Sequence, residues 1–113
     1  MKAISPPPYL GEFEYAALLA VLHLGDEAYA VPMRQLIEQR TSRPVARGAL
    51  YTALDRLEAK GCLRSRLGDP TPERGGRARR YFTVTPLGLR ALRQTHAALA
   101  GLSRGLEAVL EES

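Results

Sequence analysis

The stretch Gly48–Gly68, "GALYTALDRLEAKGCLRSRLG", changes its periodicity partway through. Leu50, Leu54 and Leu57 stand at i, i+4 and i+7, one apolar face of a helix running from about Ala46 to Lys60. Gly61 is a residue suited to end that helix. The next residues, "CLRSRLG", alternate with a period of two, as a half-buried strand does. A second such run, "RRYFTVT" (Arg79–Thr85), follows "DPTPERGGRA". The two runs therefore pair as an antiparallel hairpin around a loop shaped by prolines and glycines.

Two more helices precede this stretch. Glu12 and Glu14 sit in the first turn of a helix, before "YAALLAVLHL", which is apolar over most of its circumference and should be deeply buried, in this chain or between two chains. "GDEA" (Gly25–Ala28) ends it. A helix over about Val31–Arg40 follows, with Pro32 tolerated in its first turn and Met33, Leu36 and Ile37 facing inward. "TSRP" (Thr41–Pro44) separates it from the third helix. After the hairpin, Thr85 caps a last helix that Pro86 begins, reaching about Leu110. Its Leu92, Leu99, Leu102, Leu106 and Val109 form a heptad seam, with Thr95 in the gap, ~37 Å long. A helix reaching past so small a core must bury its stripe elsewhere, most simply against a second copy, with Leu18 and Leu22 of the first helix also at that interface. Gly101 and Gly105 mark either a close helix approach or a kink. Residues 1–10, with Pro6, Pro7 and Pro8, form an extended, flexible arm. The expected fold is mainly α with a small β-hairpin: a winged helix-turn-helix over residues 11–85 and a long C-terminal dimerisation helix over 86–113.

The 113 residues suit one domain, and 45% hydrophobic with 25% charged residues is a globular composition. The net charge of +4 conceals an asymmetry: residues 40–80 carry +7, the remainder −3. Ten of the eleven basic groups in that segment are arginine, whose guanidinium fork matches phosphate oxygens; the alternative is a solvated basic face. The single Cys62 fits a reducing compartment, and "MKAISPPPY" has no apolar signal core. The longest apolar run, Tyr15–Leu22, is far short of the ~20 residues that span a bilayer, so no membrane partner and a cytoplasmic location are expected.

Catalytic chemistry finds no constellation. His23 and His96 lack a second ligand at metal spacing, and Cys62 reads as a small core residue. "GDPTPERGG" leads into a strand rather than a helix, so it lacks the helix N-terminus of a phosphate cradle. No enzyme activity, metal or cofactor is expected.

The third helix and the hairpin carry the functional signal. Arg47 and Gly48 open the helix, with Tyr51 one turn in, Thr52 on the exposed side and Arg56 beyond. A small residue at a recognition helix's start lets its backbone approach DNA, and arginine forks onto phosphates or guanine edges. Tyr51 could equally pack partly on the core with its hydroxyl wet. Asp55 and Glu58 read as intrahelical partners of Arg47, Arg56 or Lys60. In the hairpin Arg74, Arg77, Arg79 and Arg80 address the DNA backbone, Arg77 foremost. Strand alternation turns Arg79 and Arg80 to opposite faces, so only one of them should touch DNA strongly.

"GALYTALDRLEAKGCL" followed by "GGRARRYFTVTPLGLRAL" resembles the PadR-type transcriptional regulators. Gly48, Tyr51, Leu54, Arg56, Leu57, Glu58 and Gly61 match the family's first motif. Gly76, Arg77, Arg79, Arg80, Tyr81, Phe82, Thr85 and Gly88 match its second, and likeness covers roughly residues 10–95. The resemblance implies a homodimeric repressor of the short C-terminus subgroup on a palindromic double-stranded operator, with each third helix in a major groove and each wing along the backbone or minor groove. It also implies pairing of the last helix with its partner's and with the first helix. Ala46 stands where members often have a serine, and the tryptophan that some members stack on flat aromatic ligands is absent. A small aromatic effector is therefore an open expectation. A different class of reading is a winged-helix module whose basic hairpin engages an acidic protein.

Overall fold

The computed structural model describes residues 7–69 and 78–111. Helices α1 (Glu12–Leu24), α2 (Ala30–Thr41) and α3 (Arg47–Ala59) precede strands β1 (Leu63–Leu67) and β2 (Arg80–Val84). Helix α4 (Pro86–Ser103) and a short α5 (Glu107–Leu110) follow. The strands pair antiparallel with Leu63 opposite Val84 and Arg66 opposite Tyr81. The chain is thus mostly helical with one two-stranded hairpin, as its periodicity predicts.

Ala17, Leu18 and Val21 of α1 meet Met33 and Ile37 of α2, and Leu50, Leu54 and Leu57 of α3 close the same core. Cys62, Leu63 and Phe82 continue it under the hairpin, and Ala91 and Leu92 under α4. Burial pushes the Cys62 thiol up from its ordinary pKa, as suits an inert core group. The Phe82 N–H donates to the Ala28 carbonyl (2.9 Å), which ties β2 to the bend before α2.

One turn joins three elements. The Cys62 N–H donates to Leu57 O (2.8 Å), ending α3, and the Thr85 N–H donates to Cys62 O (3.1 Å). The Thr85 hydroxyl donates to Gly61 O (2.6 Å) while accepting from the Gly88 N–H (3.0 Å), so one side chain caps α4 and holds the turn. Gly88 lies so close that a Cβ there would meet Cys62 O at 2.2 Å, which no larger residue could accommodate without backbone movement.

A second junction fixes α1 against the end of α3. Lys60 Nζ donates to both Glu14 carboxylate oxygens (2.9 and 2.7 Å) and to the Tyr9 carbonyl (3.2 Å). Glu14 also accepts the Gly11 N–H (2.8 Å), capping α1. Burial pushes the Glu14 carboxyl up, but the hydrogen bonds from Lys60 and Gly11 outweigh it, and its pKa lies below the ordinary value.

The third junction corrects the expected pairing of Asp55 and Glu58 along their own helix. Their partner is Arg80, across on β2: Nη1 lies 3.2 Å from Asp55 Oδ1, and Nη2 bonds Glu58. Ser65 joins this cluster, accepting from Arg80 Nε (3.3 Å) and donating to Glu58 (2.9 Å). The guanidinium also lies 5.0 Å from the Phe82 ring. The wing is therefore braced to the third helix by charge as well as by apolar packing.

The expected single helix to Leu110 is corrected too. It stops at Ser103 and resumes at Glu107. Gly105 takes a left-handed φ of 91°, and its N–H is held by the Glu107 carboxylate (2.9 Å). Beyond Leu92 the helix leaves the chain's own core. Gly101 and Gly105 then lower helix propensity by roughly 1 kcal/mol each, with no packing among the described residues to offset it.

Two outcomes follow from the charged junctions. Because its folded pKa is depressed, Glu14 contributes stability that is present above the ordinary glutamate value of about 4.3 and lost as pH falls through the lower folded value. Urea melts at pH 7 should find Glu14→Gln less stable than the parent by about 1–2 kcal/mol, with the gap closing as pH drops toward 3. A gap that stays constant with pH would contradict the ionic role. Arg80→Ala should destabilise by ~1 kcal/mol, the pair being partly exposed, and the loss should shrink in an Asp55→Ala, Glu58→Ala background.

Candidate nucleic-acid interface

Helix α3 shows a polar face directly opposite its buried leucines. Arg47, Gly48, Thr52 and Arg56 are exposed, and Tyr51 is 42% exposed. The helix begins at Arg47 after Ala46, which provides no side-chain cap, so the amides of its first turn are left for water or a ligand. A Cβ on Gly48 would meet nothing within 4 Å, so packing inside the protein does not require glycine there. Its small size leaves the start of α3 open to close approach from outside.

A shallow, open depression of about 280 Å³ lies between α2 and α3, lined by Arg34, Gln35, Arg47 and Tyr51 among others. Arg34 and Gln35 do not stand out in the sequence, because only the helix crossing brings α2 beside the start of α3. Arg34 Nε lies 3.8 Å from Glu38, and makes no hydrogen bond to the described residues. Glu38 instead accepts the Val45 N–H (2.7 Å), fixing the turn that leads into α3.

The hairpin arginines divide. Arg80 turns toward α3 and its carboxylates, whereas Arg79 stacks with its Cζ 4.2 Å from the centre of the Tyr29 ring. Arg74 and Arg77, expected on the DNA backbone, lie outside the described residues. Arg64 and Arg66 of β1, exposed on the strand, were not singled out from the sequence.

The residues expected at an interface between two copies also divide. Leu18 (0% exposed) and Leu92 (4%) are buried in the chain's own core, so neither has surface left for a partner. This corrects their assignment. A heptad pattern does not distinguish the half of α4 that packs on α1 from the half that projects. Leu22, Leu99, Leu102, Leu106 and Val109 are exposed, as are Leu19 and Leu110. Among the described residues no helix is long and apolar enough to cross a membrane, and no three His, Cys, Asp or Glu side chains cluster as metal ligands.

The model of the transcriptional regulator PadR-like family matches residues 18–94, which include both motifs. Transcriptional regulator Rv3488 of Mycobacterium tuberculosis is 39% identical over 98 residues, covering 82% of this chain and 85% of that protein. Among solved structures, a PadR-like transcription factor from Bacteroides fragilis is 26% identical with a TM-score of 0.67, covering 86% of this chain and 88% of that one. A PadR family transcriptional regulator from Eggerthella lenta is 28% identical with a TM-score of 0.62, covering 88% and 87%. With the three-helix order, the braced hairpin and these matches in agreement, the chain belongs to the PadR-like family of transcriptional regulators, which act by binding DNA.

Proposed function

We propose that this regulator is a homodimeric repressor of a palindromic operator. The observation that carries the reading is the separation of two surfaces: an arginine-bearing polar face on α3 and an apolar stripe on α1 and α4. In this reading residues 11–85 form the DNA-binding unit and residues 86–113 the dimerisation segment. Arg47, Gly48, Tyr51, Thr52 and Arg56 address the major groove and its phosphates. Arg74, Arg77 and Arg79 address the backbone alongside, while Arg80, engaged by Asp55 and Glu58, holds the wing in place. Leu22, Leu99, Leu102, Leu106 and Val109 pack against the second copy, which would remove from water a stripe that includes Leu102 at 78% exposure.

The effector site belongs to the same reading. A cleft of about 660 Å³ lies between residues 7–12 of the arm and Gln94, Thr95, Ala98 and Leu99 of α4, with Tyr15 on its wall. The Tyr15 hydroxyl lies 3.3 Å from His96 Nδ1, a polar pair beside a cleft whose lining mixes Leu10, Ala98 and Leu99 with Glu12, Gln94 and Thr95. That lining suits a small planar aromatic molecule with one polar group.

A gel shift with duplex from upstream of the chain's own gene should give sequence-dependent retardation, and in vitro transcription from that promoter should fall when the protein is added. No retardation of any duplex at low salt would favour an acidic protein as the hairpin's partner. Gly48→Ala should leave folding unharmed or raise stability by up to about 1 kcal/mol, since alanine is the better helix former. It should nonetheless weaken operator binding, and unchanged affinity would remove the close approach from the mechanism. Leu102→Glu, on an exposed position, should give a folded monomer in sedimentation with lost operator affinity; a persistent dimer would move the interface elsewhere.

A further inference from the structure

The hairpin has two unlike faces. Leu63, Phe82 and Arg80 turn toward the core and α3, while Arg64, Arg66, Arg79 and Tyr81 belong to the other face by alternation and register. On that outer face four side chains form one column. The guanidinium of Arg66 lies 4.7 Å from the centre of the Tyr81 ring. Tyr81 meets Tyr29 edge to face, with centroids 5.5 Å apart and the planes at 65°. The guanidinium of Arg79 lies 4.2 Å from the Tyr29 ring centre. Gly68 makes room for the column, since a Cβ there would meet Tyr81 Cε2 at 2.6 Å.

We propose that this column is a second phosphate grip, in which Tyr29 and Tyr81 hold Arg66 and Arg79 as preset forks for the backbone of the duplex beyond the bases that α3 reads. The inference rests on the DNA-binding reading above and adds Arg66, Tyr81 and Tyr29 to it. Three observations carry it. First, a guanidinium packed over an aromatic ring keeps its N–H groups at its rim, where they can form paired bonds to phosphate oxygens, and its restricted rotamers lose less freedom on binding. Hydrogen bonding with Tyr81 pushes the Arg79 pKa up, with smaller contributions from Tyr29 and Glu27.

Second, these arginines differ from Arg80 in what surrounds them. Arg80 lies between two carboxylates, whereas Arg66 and Arg79 each lie over a tyrosine ring. Glu27, at the end of the turn before α2, is the acid that acts on Arg79 from a distance, and Asp69 lies just beyond Gly68 in sequence. Third, the column adjoins the candidate groove. Tyr29 is the residue immediately before α2, and its neighbours Ala30 and Val31 line the depression that Arg34, Arg47 and Tyr51 share. The column therefore stands beside the depression that carries Arg34, Arg47 and Tyr51, with Ala30 and Val31 between them. Its charge complements a duplex, which carries a phosphate charge every ~1.7 Å along its axis.

The test uses the full chain, an operator selected from a random duplex library, and a random duplex of equal length. Fluorescence anisotropy would be followed across about 50–200 mM salt. Arg66→Gln should weaken both duplexes by about threefold to tenfold, leave their affinity ratio unchanged, and flatten the slope of log affinity against log salt by about 0.9 per bound protomer. Tyr81→Leu keeps both charges, so it should weaken both duplexes while leaving the slope as it was. Unchanged affinity and slope in Arg66→Gln, with the parent binding normally, would overturn the grip and leave the column a structural brace. A changed ratio of operator to random affinity would also overturn it, because the arginine would then read bases. Full affinity in Tyr81→Leu would remove the aromatic presetting. Failure of the parent chain to bind either duplex would instead sink the DNA-binding reading as a whole.

Discussion

The carbonyl oxygens of Gly61 and Cys62 sit where the third helix, the hairpin and α4 all depart. Each accepts a hydrogen bond from Thr85, one through its hydroxyl and the other through its N–H. The same Thr85 caps α4, and Gly88 brings that helix into contact with the Cys62 carbonyl. The three elements therefore share one anchor rather than three independent loops. The orientation of α3 relative to the wing, and of both relative to the helix bearing the apolar stripe, depends on these few backbone groups.

On that frame the positive segment divides into arginines used inside the molecule and arginines turned outward. Arg80 neutralises Asp55 and Glu58, which would otherwise present bare carboxylates close to a polyanion. Lys60 does the same for Glu14 at the far end of the helix. Net charge counts all these groups alike, yet Arg80, Lys60 and Arg43 each have an acid within ion-pair distance. The basic groups left for a phosphate-bearing partner are fewer than the count over residues 40–80 implies.

Much of this was legible in the sequence because it is local. The change of period at Gly61, the Thr85–Pro86 helix start and the order of elements are each written within a few residues, and the paired motifs gave the family. What escaped notice depends on contacts across elements. Asp55 and Glu58 have plausible partners one turn away on their own helix, and nothing in the string signals that β2 delivers a better one. Leu18 and Leu92 share the apolar periodicity of residues that face outward, since a stripe records which side is greasy and not what covers it. The Arg66–Tyr81 stack requires the strand register, which the length of the intervening loop leaves undetermined. The break at Gly105 was visible only as a pair of glycines that fitted close packing equally well.

The Lys60 ammonium reaches the Tyr9 carbonyl as well as Glu14, and residues 7–12 form one wall of the cleft against α4. The arm is thus hitched to the C-terminal end of α3. That helix has 13 residues, a rigid rod ~20 Å long whose other end begins at Arg47 and Gly48. The wall of the cleft and the exposed Arg47 start of α3 therefore share one rigid element, joined to the arm through Lys60.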